Sequence, residues 1–131
     1  MISKEDLENF LVRMAADGVQ SREVGTGLWV VGAGPDTPEV AVQYNPPVVV
    51  LRVRVMQLGP NNQKAELYRH LLQLNATDLL HGSYGIDGDS IVLTDALELE
   101  NLDFTEFQAS YDSIMLALAS HLQTLAPYRQ A

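Results

Sequence analysis

Apolar residues along the chain recur with two different spacings, and each change of spacing predicts a change of secondary structure. The first set has the i, i+3, i+4, i+7 spacing of one helix face: Leu7, Phe10, Leu11 and Met14. Ser3 and Asp6 stand at the two positions of a capping box, and Gly18 is a suitable stop at the other end. The segment therefore predicts a short amphipathic helix.

Three strands are predicted next, at residues 28–31, 39–44 and 48–58. Glycine and proline residues separate them, since neither suits the interior of a central strand. Side chains of the third and longest strand alternate between an apolar side with Val49 and Leu51 and a mixed side with Arg52 and Arg54. The short connections favour an antiparallel meander with one dry and one mixed face. The two arginines would either meet acids of a neighbouring strand or a partner, or lie on a solvated face.

A turn at residues 59–62 leads into a second helix with an unusually wide apolar arc. Its members are Leu67, Tyr68, Leu71, Leu72 and Leu74. Asn75 is the predicted end of this helix, because asparagine tolerates the left-handed conformation. A helix that is apolar over so wide an arc usually contacts two surfaces. We expect one to be its own sheet and the other to be a second subunit.

A hairpin follows, and Asp87-Gly88 is its strongest signal. This pair predicts a two-residue type I′ turn, in which both central residues have positive φ. The strand after it spans residues 90–99 and keeps four apolar residues on one side: Ile91, Leu93, Leu97 and Leu99. Asp95 interrupts that side. A β-bulge or an exposed strand edge would accommodate the carboxylate, and a catalytic carboxylate is the alternative.

The last predicted element is a long helix at about residues 104–125. Asp103 and Glu106 form the capping box that opens it, and Pro127 ends it. The element order is then α-β-β-β-α-β-β-α. This order predicts an α+β fold, an antiparallel sheet packed with helices, in one domain spanning residues 1–131.

Composition agrees with a globular chain, since 47% of the 131 residues are hydrophobic and 19% are charged. The absence of cysteine excludes disulfides, zinc–thiolate sites and cysteine nucleophiles, and it fits a reducing cytoplasm. No apolar run approaches the roughly 20 residues that span a bilayer. Acidic residues near the N-terminus, Glu5 and Asp6, stand where a signal peptide would be apolar. We therefore expect a cytoplasmic protein.

The net charge of −9 is concentrated in the second half of the chain. Residues 78–131 contain nine acids and only one basic residue, Arg129, which gives −8. Such a surface repels phosphate, so nucleic acid and anionic membranes are poor partners. A basic or amphipathic polypeptide fits better, although the acidity could also serve only solubility.

No motif for catalysis, metal binding or a cofactor stands out. The three histidines, His70, His81 and His121, lack the spacing of metal ligands, which favours a structural or solvent-exposed role for each. Asp87 and Asp89 loosely match the start of a calcium loop, but its later glycine and glutamate positions are not matched. The phosphate-binding and nucleophile signatures are also missing. We therefore predict no cofactor, no metal and no catalytic residue.

The order of these motifs resembles a known bacterial family. The matching features are the opening helix, the leucine-rich tail at residues 71–75, the hairpin at residues 84–93, and the L-x-L-x-x-L pattern at residues 97–102 that runs into the last helix. Together they resemble the type III secretion chaperone family, Tir-chaperone-like, with its YbjN-like relatives. The resemblance spans nearly the whole chain.

The resemblance implies a small cytoplasmic homodimer that binds a non-globular segment of another protein. It makes Tyr68, Leu71 and Leu72 the candidate dimer residues. It places five others near the partner groove: Leu7, Phe10, Leu11, Leu28 and Val30. An exposed strand edge could accept an extended segment by β-addition while pockets hold its side chains.

Three functions are then open. The first is a non-enzymatic, chaperone-like, dimeric protein-binding module. The second is a YbjN-like regulatory or scaffold protein that binds a folded partner. The third is a small enzyme, which would require a deep polar pocket with convergent side chains and perturbed pKa values.

Overall fold

The computed structural model describes residues 1–59 and 64–129, which form three helices, six strands and a short terminal turn. Residues 60–62 of the predicted turn lie outside the described residues. The elements in chain order are α1 (Lys4–Ala15), β1 (Gln20–Gly25), β2 (Leu28–Gly32), β3 (Val40–Asn45), β4 (Val48–Gln57), α2 (Lys64–Thr77), β5 (Ser83–Asp87), β6 (Ser90–Glu98), α3 (Phe104–Leu125) and a 3₁₀ turn (Ala126–Tyr128).

All six strands form one antiparallel sheet in the order β1-β2-β3-β4-β6-β5. The longest pairing joins β4 to β6. Alternate side chains of β4 are buried, which defines an inner face that packs against the helices and an outer face without helices. The core combines inner-face residues such as Leu51 and Leu93 with helix residues such as Leu7, Leu71 and Phe107. The α+β prediction is therefore confirmed.

Strand β1 was not predicted as a separate element. Its sequence has no apolar alternation, because all six residues, Gln20–Gly25, are exposed. The strand is defined instead by its backbone pairing to β2, from Gln20 opposite Gly32 to Gly25 opposite Leu28, with an irregularity between Glu23 and Gly25. Backbone pairing of this kind leaves little trace in the hydrophobic pattern, so the edge strand was missed.

Both predicted capping boxes are present. The Ser3 hydroxyl accepts a hydrogen bond from the Asp6 N–H at 3.1 Å, and the Asp6 carboxylate accepts from the Ser3 N–H at 2.9 Å. Asp103 and Glu106 make the same reciprocal pair at the start of α3. Each box satisfies helix N–H groups that would otherwise lack partners.

The second helix runs two residues past its predicted end, because Asn75 has a different role. Its side chain binds both backbone groups of Tyr84: Oδ1 accepts from the Tyr84 N–H at 2.7 Å, and Nδ2 donates to the Tyr84 carbonyl at 3.2 Å. Helix α2 continues to Thr77. Asn75 therefore connects α2 to the edge strand β5 and does not terminate the helix.

The β5–β6 hairpin is present, but the prediction of a type I′ turn is wrong. Asp87 pairs with Ser90, so the central turn residues are Gly88 and Asp89. Gly88 has φ of 59°, whereas Asp89 is not among the described residues with positive φ. A positive φ only at the first central position is typical of a type II′ turn, for which glycine is preferred there.

Asp95 lies on the inner face, and of the two structural alternatives the bulge is not found there. The pairing of β4 with β6 is regular at Asp95, and its irregularity lies between Arg54 and Met56 of β4. The buried Ser110 of α3 donates its hydroxyl to the Asp95 carboxylate at 2.5 Å. Strand β5 pairs with β6 only as far as Thr94, so Asp95 stands where one neighbour has ended. A helix hydroxyl and a local strand edge together accommodate this carboxylate.

Candidate protein-binding surfaces

The outer face of the sheet has an apolar centre that no helix of the described residues covers. Leu28 and Val30 of β2 lie on it, both half-buried, beside Gln43 and Ala41 of β3. The next strand adds the half-buried Val50, which pairs with Gln43. The predicted partner residues Leu28 and Val30 thus lie together in one surface.

Next to this apolar centre, strand β1 forms one edge of the sheet. It pairs with β2 on one side, and among the described residues no strand pairs with its other side. An open depression beside it is lined by side chains that include Arg22, Val30, Thr37 and Glu39. An unpaired edge presents backbone donors and acceptors in a row, which can pair with an added strand.

The first helix contributes less to the surface than its apolar stripe suggested. Leu7 and Leu11 are buried in the core, so neither can contact a partner in this structure. Phe10 is half-buried, with its ring 5.8 Å from that of Phe104. The Arg13 guanidinium stands 4.0 Å from the centre of the Phe104 ring. Of the three helix residues predicted to contact a partner, only Phe10 reaches the surface.

The predicted dimer residues of α2 differ in their exposure to solvent. Leu71 is 5% exposed and belongs to the core of its own chain. Leu72 is 66% exposed, and Tyr68 is half-buried next to it. Both line an open, largely apolar depression together with Ala65 and Ala76. We call this surface the outer face of α2; Leu71 lies behind it.

The two arginines of β4 have different environments on the outer sheet face. Arg52 forms an ion pair with Asp87 of β5, with Nη1 2.6 Å from the carboxylate oxygen. Arg54 is exposed and has no ion-pair partner among the described residues. Arg52 therefore meets an acid, as one interpretation expected, but on β5 and not on a strand next to β4. The solvated-face interpretation describes Arg54. Because both members of the pair are about half exposed, the contribution to stability is small.

A chain of polar side chains connects α3, β5 and the loop after α2. His121 of α3 is buried; its Nδ1 is 2.7 Å from the Tyr84 hydroxyl, and its Nε2 is 3.1 Å from the Asp78 carboxylate. In the neutral imidazole, Nε2–H donates to Asp78, since a carboxylate only accepts, and the Tyr84 hydroxyl donates to Nδ1. Burial, with a smaller effect of the Asp78 charge, raises the pKa of Tyr84 to about 12. The predicted structural role of His121 is therefore correct, but its partners could not be read from sequence spacing.

The other two histidines contact neighbouring side chains. His81 stands 3.9 Å from the Asp95 carboxylate, and His70 packs edge-on against Tyr128. Within residues 1–59 and 64–129, no three metal-ligating side chains converge. In that same part of the chain, no helix combines the length and apolarity that a bilayer span requires.

An uncovered apolar sheet face, an unpaired edge strand and an exposed helix face define a small α+β protein with surfaces suited to other polypeptides. The family model CesT_Tir_1 matches residues 2–131. The chain therefore belongs to this family, the type III secretion chaperones. No curated protein sequence matches it.

Solved structures share the fold at low sequence identity. A chain of the heterodimeric ExoU–SpcU complex from the type III secretion system of Pseudomonas aeruginosa has a TM-score of 0.72 at 14% identity, covering 92% of this chain and 98% of that one. YbjN from E. coli has a TM-score of 0.66 at 13% identity, covering 92% and 91%. The ExsC–ExsE complex gives 0.61 at 16% identity, covering 95% and 94%.

Proposed function

We propose that this chain is a non-enzymatic, homodimeric chaperone of the cytoplasm that captures a non-globular segment of another protein. The observation that carries the proposal is the edge of β1, which no strand of the described residues pairs, beside the half-buried Leu28 and Val30, which no helix of those residues covers. Family membership supports it. Two structural neighbours, the ExoU–SpcU and ExsC–ExsE structures, are themselves complexes of two proteins.

The client would add to the sheet as a further strand. Its backbone would pair with the free edge of β1, which gives affinity without selecting a sequence. Alternate side chains of an added strand point to the same face, so half of them would extend the apolar centre around Val30. The depression lined by Arg22, Thr37 and Glu39 would hold one of these side chains and supply the polar contacts.

The second copy would bind through the outer face of α2. Leu72 is 66% exposed there, and Tyr68 offers a large ring with a polar tip, a residue type enriched in interfaces. Two copies of one helix can pack face to face about a two-fold axis, since such an interface is self-complementary. Helix α2 contacts β5, which is at the opposite end of the strand order from β1. This arrangement would therefore leave β1 free in each copy.

Client capture is tested with unstructured peptides selected from a random library for binding to this protein. We expect Val30→Asp to weaken the selected peptide by at least about tenfold, because it places a charge in the apolar contact. Val12→Asp is the matched control, since Val12 is 69% exposed on α1, away from the sheet. Amide hydrogen exchange of residues 20–25 should slow when the peptide binds. Unchanged exchange, or equal affinity of both variants, would contradict β-addition at this edge.

Dimerisation is tested separately. We expect Leu72→Asp to give a monomer in size-exclusion chromatography with light scattering, because two carboxylates would be buried in an apolar contact. The wild type and Val12→Asp should remain dimers at micromolar concentration. A dimeric Leu72→Asp variant would place the interface elsewhere, and a monomeric wild type would remove the dimer from the proposal.

The alternative is a regulatory or scaffold protein that binds a folded partner. The similarity to YbjN favours it. A folded partner would contact side chains without pairing to β1, so its binding would not slow exchange at residues 20–25. The exchange measurement therefore distinguishes the two functions.

A further inference from the structure

The two most exposed large aliphatic side chains of the described residues lie in one groove. Leu80, in the loop after α2, is 93% exposed, and Leu116 of α3 is 71% exposed. Both line an open depression together with Leu79 and Ala117. Single exposed leucines are common on protein surfaces, but two that line the same depression form an apolar contact site.

The charged groups around this groove are acidic. Asp78 lines it, and half of its carboxylate side chain remains exposed even though it accepts a hydrogen bond from His121. Asp112 is exposed on α3, one helical turn before Leu116 and therefore on the same side of the helix. Neither lysine nor arginine is among the described residues that line the groove. The groove thus combines an apolar lining, which also includes Ser113 and Ser120, with an acidic rim formed by Asp78 and Asp112.

We propose that this groove binds a cationic amphipathic segment of a partner protein, at a surface distinct from both the β1 edge and the outer face of α2. Apolar side chains of the partner would pack on Leu80 and Leu116, while lysine or arginine side chains would approach Asp78 and Asp112. A helix with one apolar and one basic face has this chemistry. The proposal stands independently of client capture.

Charge decides against the other occupants. A second copy of this chain would bring the same acidic rim against itself, at a net charge of −9 per chain. Anionic lipid surfaces and nucleic acids carry the same sign and would be repelled. A cationic polypeptide gains from both the apolar lining and the acidic rim.

The test uses a synthetic helical peptide with a leucine face and a lysine face, measured by fluorescence anisotropy against the full chain. We expect binding to weaken at least about tenfold in the double variant Leu80→Ser, Leu116→Ser, since both apolar contacts are lost. The control is Val12→Ser with Ile86→Ser, which removes two exposed aliphatic side chains outside both the groove and the outer face of α2. Circular dichroism should show that both double variants fold as the wild type does.

Charge is tested with a second pair of variants and a second peptide. Asp112→Asn should weaken the lysine peptide severalfold at low salt, while Asp17→Asn, an exposed acid after α1, should not. A peptide with glutamate in place of lysine should not bind. Equal binding by the two double variants, equal binding of the two peptides, or displacement of the lysine peptide by a client peptide would overturn the proposal.

Discussion

Leu71→Asp is expected to lower the free energy of unfolding of the single chain by about 4 kcal/mol or more, whereas Leu72→Asp should change this single-chain value by less than roughly 0.5 kcal/mol. Leu71 is buried in the core of its own chain, so aspartate there loses the apolar contacts and buries an unpaired carboxylate. Leu72, the next residue, points to solvent. Urea unfolding followed by fluorescence of Trp29, the single and buried tryptophan, measures both values.

These adjacent leucines also separate folding from assembly. A dimer gains stability with protein concentration, so the unfolding curves are recorded at several concentrations. Leu72→Asp should remove the concentration dependence of stability while the monomer stays folded. The two single variants Leu71→Ala and Leu72→Ala allow the same comparison without introducing a charge. If Leu71→Asp matched the wild type in stability, the side chain could not lie in the core of its own chain.

Local signals account for the elements that the sequence predicted well. The capping boxes at Ser3 and Asp103 each depend on two residues three positions apart, so the pattern is complete in the sequence itself. The alternation in β4 is also local, and it identified both the buried side and the mixed side with Arg52 and Arg54. The fold class follows from these elements and from the short connections between them.

Features that depend on distant residues could not be predicted. The hydroxyl of Ser110 accommodates Asp95 across 15 positions, and Tyr84 meets His121 across 37. Neither pair has a sequence spacing that marks it. Asparagine is a residue type that often ends a helix. The side chain of Asn75 instead forms hydrogen bonds with the backbone of Tyr84, and the helix continues past it. In each case a tertiary contact decided the outcome.

The candidate surfaces show the same division. The resemblance named Leu28 and Val30, and the structure places both on one face, because residues two positions apart on a strand point to the same side. A wide helical arc is less specific, since it contains both the buried Leu71 and the exposed Leu72. Leu80 lies in the loop after α2, so no periodicity marked the groove that it shares with Leu116. Only the folded chain brings those two side chains together.

Stability is expected to fall between about pH 10 and pH 12, and Tyr84 should account for about 3 kcal/mol of the loss. The pKa of Tyr84 is raised by burial from 10.0 to about 12 in the folded protein. In this interval the unfolded chain loses the phenol proton while the folded chain keeps it, so rising pH favours unfolding. Below pH 10 both states hold the proton, and Tyr84 gives no pH dependence.

The comparison with Tyr84→Phe isolates this contribution, because burial also raises the pKa of Tyr111 and other groups titrate in the same range. At pH 8 the variant should be less stable by about 1 kcal/mol, since Nδ1 of His121 loses its hydrogen-bond donor. As the pH rises to 12 the wild type should lose that advantage and become the less stable of the two, because only the wild type must keep a phenol protonated. Tyr111→Phe, which leaves the His121 pair intact, should retain the Tyr84 dependence. The contradicting result is a stability difference between wild type and Tyr84→Phe that stays constant from pH 8 to pH 12. It would show that the phenol has the same pKa in the folded and unfolded chains, and hence that His121 and the core do not enclose it.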